Sequence, residues 1–267
     1  MTAPTKTTYN DGLISRELSQ LGFREVNPET AYRVVACTTA PEKCGKTHWA
    51  LTAPAPIAAI ATDTGTEEIA KKFLAKKRII IVDFKDVRAL VEDGDKSAAQ
   101  RQWKRLEDAF KKLVDTTKIR TIVADTATEM WELKRLAAFG KLTQVLPHHY
   151  TQVNAEFTAL VKEAYNRLDL NVIFVHKQKK QYKTNKDGKD AWTGKWERAG
   201  FGDLPYLVDV NLNHYFNRET KEFGVGVIDS RVNMVEVVGQ QMEGVLCGFE
   251  DLAYQMFPET LNTERWK

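Results

Sequence analysis

The chain has 267 residues, of which 43% are hydrophobic and 28% are charged, and its formal net charge is +3. This composition is typical of a globular protein with a substantial core, and no apolar run approaches the roughly 18 residues of a membrane-spanning helix. The polar N-terminus lacks the apolar core of a secretory signal, and three cysteines at unrelated spacings predict neither a disulfide framework nor a zinc site. We therefore expect a cytoplasmic protein.

Short apolar runs alternate with helical patterns along the first two thirds of the chain. After a disordered leader over residues 1–11, the predicted helices are 13–21, one starting at Lys46, 67–77, 97–117, one after residue 125, and 150–168. The predicted strands are 32–39, 56–62, 78–84, 119–125 and 171–176. Strands this apolar, separated by helices, are typical of a parallel sheet built from βαβ units.

The pattern changes after residue 203. The stretches 206–217, 222–230 and 232–238 predict strands without helices between them, and a short helix is expected near 248–256. We predict an α/β fold whose mainly parallel central sheet is flanked by helices and carries a C-terminal antiparallel strand extension. Residues 1–28 are expected to form a leader with a short helix, and residues 29–267 a single domain.

A phosphate-loop pattern follows the first predicted strand. The stretch "TTAPEKCGKTHWAL" (38–51) has the spacing G-x-x-x-x-G-K-[ST], with Ala40 in place of the first glycine. In such a loop Gly45 lets the backbone approach phosphate, Lys46 reaches the β- and γ-phosphates, and Thr47 holds magnesium. We expect the Ala40 methyl group to be tolerated if its φ is negative. The predicted ligands are ATP and Mg²⁺, and the loop residues predicted to bind them are Ala40, Pro41, Glu42, Lys43, Cys44, Gly45, Lys46, Thr47 and His48.

An acid on a neighbouring strand is the second requirement of this chemistry. The run "IRTIVAD" ends in Asp125, at the strand edge where open α/β sheets bind ligands, so Asp125 is predicted to order Mg²⁺ through water. The alternative is a helix N-cap, because a helical stretch begins directly after it.

Two further roles have several candidates. Water could be activated by Asp63, Glu67 or Glu68 in "TDTGTEE", although both glutamates could instead complement a helix dipole. The γ-phosphate could be sensed by a side chain at the end of the fifth strand, or that stretch could simply begin a solvated loop. The candidate sensors are His176, Lys177 and Gln178.

The positive charge is concentrated in one segment. Residues 177–198 hold eight basic and three acidic residues, a net charge of +5, so the rest of the chain is net −2. Residues 176–203 show no helical or strand period and are predicted to form a mobile basic loop. Lysines follow a phosphate backbone and aromatic rings stack on bases, so we expect single-stranded nucleic acid to bind here rather than a solvated loop with its tryptophans folded back. The predicted contacts are Lys179, Lys180, Tyr182, Lys183, Lys186, Lys189, Trp192, Lys195, Trp196 and Arg198.

Four stretches in order resemble a RecA-like P-loop ATPase core, and more closely the phage RecA-like proteins of the Sak group, which are single-strand annealing proteins or phage AAA-type ATPases. They are "APEKCGKT", "IAAIATDTGTEEIAKKF", "IRTIVADTATEMWEL" and "VHKQKKQY…TGKWERAGFGDLPYLVDVNLNHYF". The resemblance runs from about residue 32 to 217 and implies that Lys46 and Thr47 bind nucleotide and magnesium, that Asp125 orders the metal, and that the segment after His176 contacts DNA. It also implies a ring or filament of identical subunits, and a bacterial host cytoplasm if the protein is phage-encoded. A single-strand binding protein is a further candidate partner.

Two departures from that family affect the functional prediction. Ala40 replaces a glycine, and Gly65 stands where a RecA-type catalytic glutamate would fall, two residues after Asp63. Glu67 or Glu68 could substitute, or hydrolysis could be slow. The leading hypothesis is a DNA-stimulated ATPase of recombination or single-strand annealing. The alternatives are a nucleotide-binding adaptor, such as a helicase loader, and a P-loop kinase for a small metabolite.

Overall fold

The computed structural model describes residues 19–22, 32–84, 86–141, 146–184, 188, 190–261 and 263–266. The chain divides into two units, residues 1–32 and 33–267. In the first unit the described part is a single turn, in which the Gly22 amide donates to the Ser19 carbonyl at 3.0 Å. The predicted leader lies outside the described residues. Within the described residues no helix combines the length and apolarity needed to cross a bilayer.

The described part of the second unit is an α/β structure with nine strands. They are β1 (Val35–Ala40), β2 (Ile57–Ala61), β3 (Ile79–Asp83), β4 (Thr121–Asp125), β5 (Asn171–Thr184), β6 (Asp190–Arg198), β7 (Val210–Asn217), β8 (Glu222–Ser230) and β9 (Gln241–Glu243).

Nine α-helices accompany these strands in the described residues. They are α1 (Lys46–Ala50), α2 (Gly65–Lys71), α3 (Val87–Asp93), α4 (Lys96–Asp115), α5 (Ala127–Phe139), α6 (Tyr150–Glu163), α7 (Leu204–Leu207), α8 (Met234–Val237) and α9 (Phe249–Met256).

The sheet has the strand order β3-β2-β4-β5-β1-β7-β8-β9, and β6 pairs with β5 outside this path. Strands β3 to β7 along this order are parallel, whereas β8 and β9 are antiparallel. The prediction of a mainly parallel sheet with an antiparallel C-terminal extension is therefore confirmed. Since the parallel strands point the same way, the segments after β1, β2, β4 and β5 all leave the sheet at one edge.

The predicted basic loop is wrong as secondary structure, because residues 178–184 and 190–198 pair as the two strands of a long β-hairpin. Strand β5 continues past the sheet to Thr184 and pairs with β6 from Gln178↔Arg198 to Thr184↔Asp190. These strands could not be recognised from the sequence. Beyond Gln178 both faces of the hairpin are polar or exposed, so its residues do not alternate between apolar and polar. Most of the stretch "NKDGKD", interpreted as loop, lies outside the described residues.

Smaller differences occur in the C-terminal part. The predicted strand over 232–238 is wrong: it contains helix α8, which follows Asn233 at φ 48°. The predicted strand 206–217 begins instead as helix α7 and becomes β7 only at Val210. Short apolar runs do not separate strand from helix by periodicity alone, and this ambiguity explains both errors. Helix α3 and strand β9 had no sequence prediction.

Helices α4, α5 and α6 cover one face of the sheet and form the main core. Helix α4 buries Trp103, Leu106 and Phe110 at the spacing of three and four residues that the sequence predicts. The Phe110 ring stacks on Phe174 of β5 with centroids 6.2 Å apart, and Trp131 of α5 lies edge-on to a phenylalanine of α6. This packing fixes β4 and β5, the strands that carry Asp125 and His176.

The core predicts a large difference between two leucine-to-alanine variants. Leu106 is fully buried whereas Leu74 is 57% exposed. We expect Leu106→Ala to lower the free energy of unfolding by about 2–5 kcal/mol because it leaves a cavity in a packed core. Leu74→Ala, the matched control, should change it by less than about 0.5 kcal/mol. Urea denaturation measures both, and equal losses would contradict this assignment of the core.

Candidate nucleotide and nucleic-acid site

A cleft of about 630 Å³ lies at the sheet edge where β1, β2 and β4 end and where β5 leaves the sheet. All nine residues from Ala40 to His48 line it, together with residues at the ends of β2 and β4 and with Lys177 and Gln178 of β5. The structure thus brings the predicted phosphate loop, Asp125, Lys177 and Gln178 to one site. A volume of this size is within the usual range for small-molecule sites.

The loop between β1 and α1 has the backbone of a tight turn. Gly45 has φ 80° and ψ 8°, a left-handed conformation that favours glycine, and Lys43 also has a positive φ of 59°. A Cβ atom at Gly45 would also approach the Phe223 ring to 3.1 Å. Conformation and space therefore both call for a glycine at this position.

Ala40 occupies a position that does not need glycine. It is the last residue of β1 and is 1% exposed. Among the described residues, the non-glycine positions with positive φ are Lys43, Lys221 and Asn233, so Ala40 has an ordinary backbone. The condition under which its methyl group was expected to be tolerated is met.

Lys46 is turned back onto its own loop. Its Nζ donates to the carbonyl oxygens of Ala40 at 3.1 Å and Pro41 at 2.9 Å. Burial lowers the pKa of Lys46, while nearby acidic groups, including Asp125 and Asp63, oppose that change. An anion in the loop would compete with the two carbonyls for this ammonium group.

Asp125 joins three segments of the chain. Its Oδ2 accepts hydrogen bonds from the hydroxyls of Thr47 at 2.9 Å and Thr66 at 2.7 Å. Burial raises the pKa of Asp125, and the hydrogen bonds from the two threonines oppose the rise. Asp125 is not the N-cap of α5, because the Thr126 side chain accepts from the Glu129 amide and caps that helix. Thr66, which no sequence prediction included, belongs to this cluster.

The three candidates for activating water lie in different places. Asp63 lines the cleft, and its Oδ1 accepts from the Gly65 amide at 3.2 Å. Glu67 and Glu68 are exposed in the first turn of α2 and do not line the cleft, and Glu68 forms an ion pair with Lys71 at 2.6 Å. Their position matches the alternative of acids that complement a helix dipole.

The three candidate sensors also take different positions. His176 is fully buried on the helix-covered face, where its Nδ1 lies 2.9 Å from the Ala199 carbonyl oxygen. Burial and the nearby Arg198 lower the pKa of His176 to about 3, so its imidazole is neutral near pH 7. Lys177 and Gln178 line the cleft, and Gln178 Nε2 donates to Asn213 Oδ1 at 3.0 Å.

A buried glutamate next to the cleft was missed by the sequence analysis. Glu129 forms an ion pair with Lys177, accepts from the Thr126 hydroxyl, and lies 3.3 Å from the Thr62 hydroxyl. The sequence signal was the pattern Thr126-x-x-Glu129, which is that of a helix capping box. Glu129 thereby holds the ammonium group of Lys177 beside the cleft. Arg88 of α3, also missed, lines the cleft as well.

The hairpin presents its aromatic residues on one face. Cross-strand pairing sets Lys180 opposite Trp196 and Tyr182 opposite Trp192, and strand alternation puts all four on the same side. The three aromatic side chains are 50–55% exposed. Lys180 Nζ lies 5.3 Å from the centroid of the Trp192 ring. We refer to these four residues as the aromatic face.

The other predicted nucleic-acid contacts are less uniform. Lys179, Lys183 and Lys195 are exposed on the hairpin, and Lys179 forms an ion pair with Glu197 at 3.2 Å. Arg198 points inward at the hairpin base, where its guanidinium donates to the carbonyls of Phe201 and Gly202, so its predicted role as a surface contact is not supported by its placement. Lys186 and Lys189 lie outside the described residues.

The cleft has the donors that a nucleotide and magnesium require. Its backbone turn, the Lys46 ammonium and the nearby Arg88 suit phosphate, and the oxygens of Thr47 and Asp125 suit Mg²⁺. In the described part of the chain no group of three or more His, Cys, Asp or Glu side chains could hold a metal by itself. Mg²⁺ is commonly held by one or two protein oxygens together with substrate phosphates, and Thr47 and Asp125 are the residues that could hold it here.

Comparison with known proteins gives a family. A search of curated proteins found no match. Among solved structures, a crystal structure of the RadB recombinase matches with a TM-score of 0.46 and 14% sequence identity, covering 80% of this chain and 87% of that chain. A family model described as an AAA domain matches residues 33–240, which is most of the chain and includes the whole cleft and the hairpin. The chain therefore belongs to this AAA-domain family of P-loop ATPases.

Proposed function

We propose that the protein is a phage-type ATPase of DNA recombination or single-strand annealing that binds single-stranded DNA through its hairpin. The observation that carries this proposal is the course of β5. One continuous strand lines the nucleotide cleft with Lys177 and Gln178, then continues as the basic hairpin with its aromatic face. Nucleotide and nucleic acid would therefore both contact β5.

The residues around the phosphate loop have distinct proposed roles. Lys46 and the loop amides hold the phosphates, Thr47 and Asp125 hold Mg²⁺, and Thr66 orients the Asp125 carboxylate. When bound, Mg²⁺-ATP supplies a γ-phosphoryl group that water attacks, with charge spread over the phosphate oxygens. Of the three candidate acids Asp63 is the best placed to orient that water, because it lines the cleft and the two exposed glutamates of α2 do not.

Lys177 is the proposed link between the cleft and the hairpin. It is paired with Glu129 beside the cleft, and an anionic group there would compete with that carboxylate. If the Lys177–Glu129 ion pair were broken, β5 would lose a contact that holds it in place one residue before the hairpin begins at Gln178. Nucleotide state would in this way alter the position or order of the DNA-binding strand pair.

A second candidate function is a nucleotide-binding adaptor, such as a helicase loader, with little turnover. The exposed position of Glu67 and Glu68 favours it, because neither glutamate can replace the acid that is absent at Gly65 without moving into the cleft. The ring or filament of identical subunits that the family resemblance implies stays a prediction under both functions.

ATP hydrolysis with and without single-stranded DNA tests the first proposal. We expect turnover that DNA stimulates, and Lys46→Ala should lower kcat by at least about a hundredfold because it removes a cation from the developing phosphate charge. The control is Lys72→Ala, an exposed lysine that does not line the cleft. ATP binding by the wild type without turnover under either condition would favour the adaptor.

A second set of variants tests which of the three candidate acids orients the attacking water. Asp63→Asn should lower kcat by about a hundredfold while leaving ATP affinity nearly unchanged, because the change removes the group that orients water. Glu67→Gln and Glu68→Gln are matched controls and should keep wild-type turnover. Single-turnover kinetics measure all three, and a loss confined to one of the glutamates would refute the role of Asp63.

The hairpin is tested through aromatic residues that do not line the cleft. Tyr182→Ala combined with Trp192→Ala should weaken binding to single-stranded DNA by at least about thirtyfold, because stacking on two bases is lost. ATP affinity should stay the same. Tyr206→Ala, an aromatic residue that is 81% exposed outside the hairpin, is the control. Fluorescence anisotropy gives the affinities, and an unchanged double variant would remove the aromatic face from the binding site.

A further inference from the structure

A second cavity lies over β1 and β7, on the sheet face that also carries His176. It has a volume of about 610 Å³ and is bounded by the end of β1, the middle of β7, and the ends of β6 and β8. We call it the β7 groove. The lining residues that bear on its chemistry are Thr39, Gln178, Trp196, Asn211, Asn213 and Ile228.

The floor of the β7 groove contains polar groups without partners. Asn211 Oδ1 and Thr39 Oγ1 are buried and make no hydrogen bond with any described residue. Asn211 and Thr39 are 8% and 7% exposed. The register sets Thr39 beside Asn213, so alternation places Thr39, Asn211 and Asn213 on the one sheet face that lines the groove. Buried polar groups normally have a partner, so these two indicate that the groove accepts a ligand with hydrogen-bonding groups.

The wall of the groove is aromatic and apolar. Trp196 is 54% exposed and Ile228 56% exposed, so both offer apolar surface to whatever enters. Above the floor, Asn213 and Gln178 add amide groups that are already bonded to each other at 3.0 Å. A flat ring with donors and acceptors on its edge matches a site that combines a stacking surface with amide and hydroxyl groups.

The charges around the groove favour an uncharged occupant over phosphate. Asp229 lines it with a carboxylate, and the Arg198 guanidinium is already bonded to the carbonyls of Phe201 and Gly202. The exposed lysines lie instead along the hairpin. This distribution of charge suits an uncharged ring in the groove and phosphates along the hairpin.

We propose that the β7 groove binds a nucleobase of the single strand whose backbone follows the hairpin, with the base stacked on Trp196 and its edge bonded to the Asn211, Asn213 and Thr39 side chains. This inference rests on the proposed function, because it identifies where that strand is held. Trp196 and Gln178 line both the groove and the nucleotide cleft. A base in the groove therefore contacts residues that also face the nucleotide.

The test fills the groove and compares strands with and without bases. Ile228→Trp adds an indole at the groove rim, and Val235→Trp adds the same group to a residue of α8 that is 87% exposed and does not line it. The probes are a labelled thymidine strand of about 16 nucleotides and an abasic strand of equal length. We expect Ile228→Trp to weaken binding of the thymidine strand by about tenfold and to leave the abasic strand within about twofold, since only stacking is lost. Val235→Trp should leave both affinities unchanged.

The outcomes separate the groove from the proposed function. If the wild type binds neither strand, both proposals fail. If the wild type binds both strands equally, the groove proposal fails together with base stacking on the aromatic face. If the wild type prefers the thymidine strand but Ile228→Trp binds that strand normally, the groove proposal alone fails and the hairpin function stands. Free thymidine that binds as tightly as the strand would overturn the strand assignment in favour of a free nucleoside.

A second measurement does not depend on a variant. A strand containing 4-thiothymidine, irradiated on the wild-type protein, should crosslink to Trp196 or to another residue of the groove, as identified by mass spectrometry of the peptides. Crosslinks confined to the hairpin beyond Lys180 would overturn the groove proposal.

Discussion

The site depends on the two hydrogen bonds that the Asp125 carboxylate accepts. The carboxylate accepts from Thr47 after β1 and from Thr66 after β2, and Asp125 is itself the last residue of β4. Three connections that are distant in sequence are thereby held at one end of the sheet. A buried carboxylate without donors would be costly, so the two hydroxyls stabilise the site while they define its geometry. The phosphate loop and the first turn of α2 then have a fixed spacing across the cleft.

One strand of the sheet continues beyond the site as a hairpin. Strand β5 is buried between β4 and β1 up to His176, lines the cleft at Lys177 and Gln178, and then leaves the sheet to pair with β6. His176 and Arg198 anchor the hairpin base through the carbonyl groups of residues 199, 201 and 202. The exposed aromatic face therefore projects from a strand that the core holds in place, rather than from an independent loop.

The sequence allowed the parallel sheet and the position of the phosphate loop to be predicted, because buried strands and the Gly45-Lys46-Thr47 spacing are local signals. It also placed Asp125 at a strand end. It did not reveal Thr66 or Glu129, since their roles arise only when β2, β4 and β5 lie side by side. The hairpin was interpreted as a loop because alternation identifies a strand only when one face is apolar. Arg198 looked like one more surface cation because burial is not visible in a charge count.

The separation of charge has a kinetic consequence. Residues 177–198 carry a net charge of +5, whereas the rest of the chain sums to −2. The exposed lysines of the hairpin would attract a polyanion, so its encounters with the hairpin would outnumber those expected from the size of the hairpin alone. The association rate would then fall as ionic strength rises and shortens the reach of this attraction.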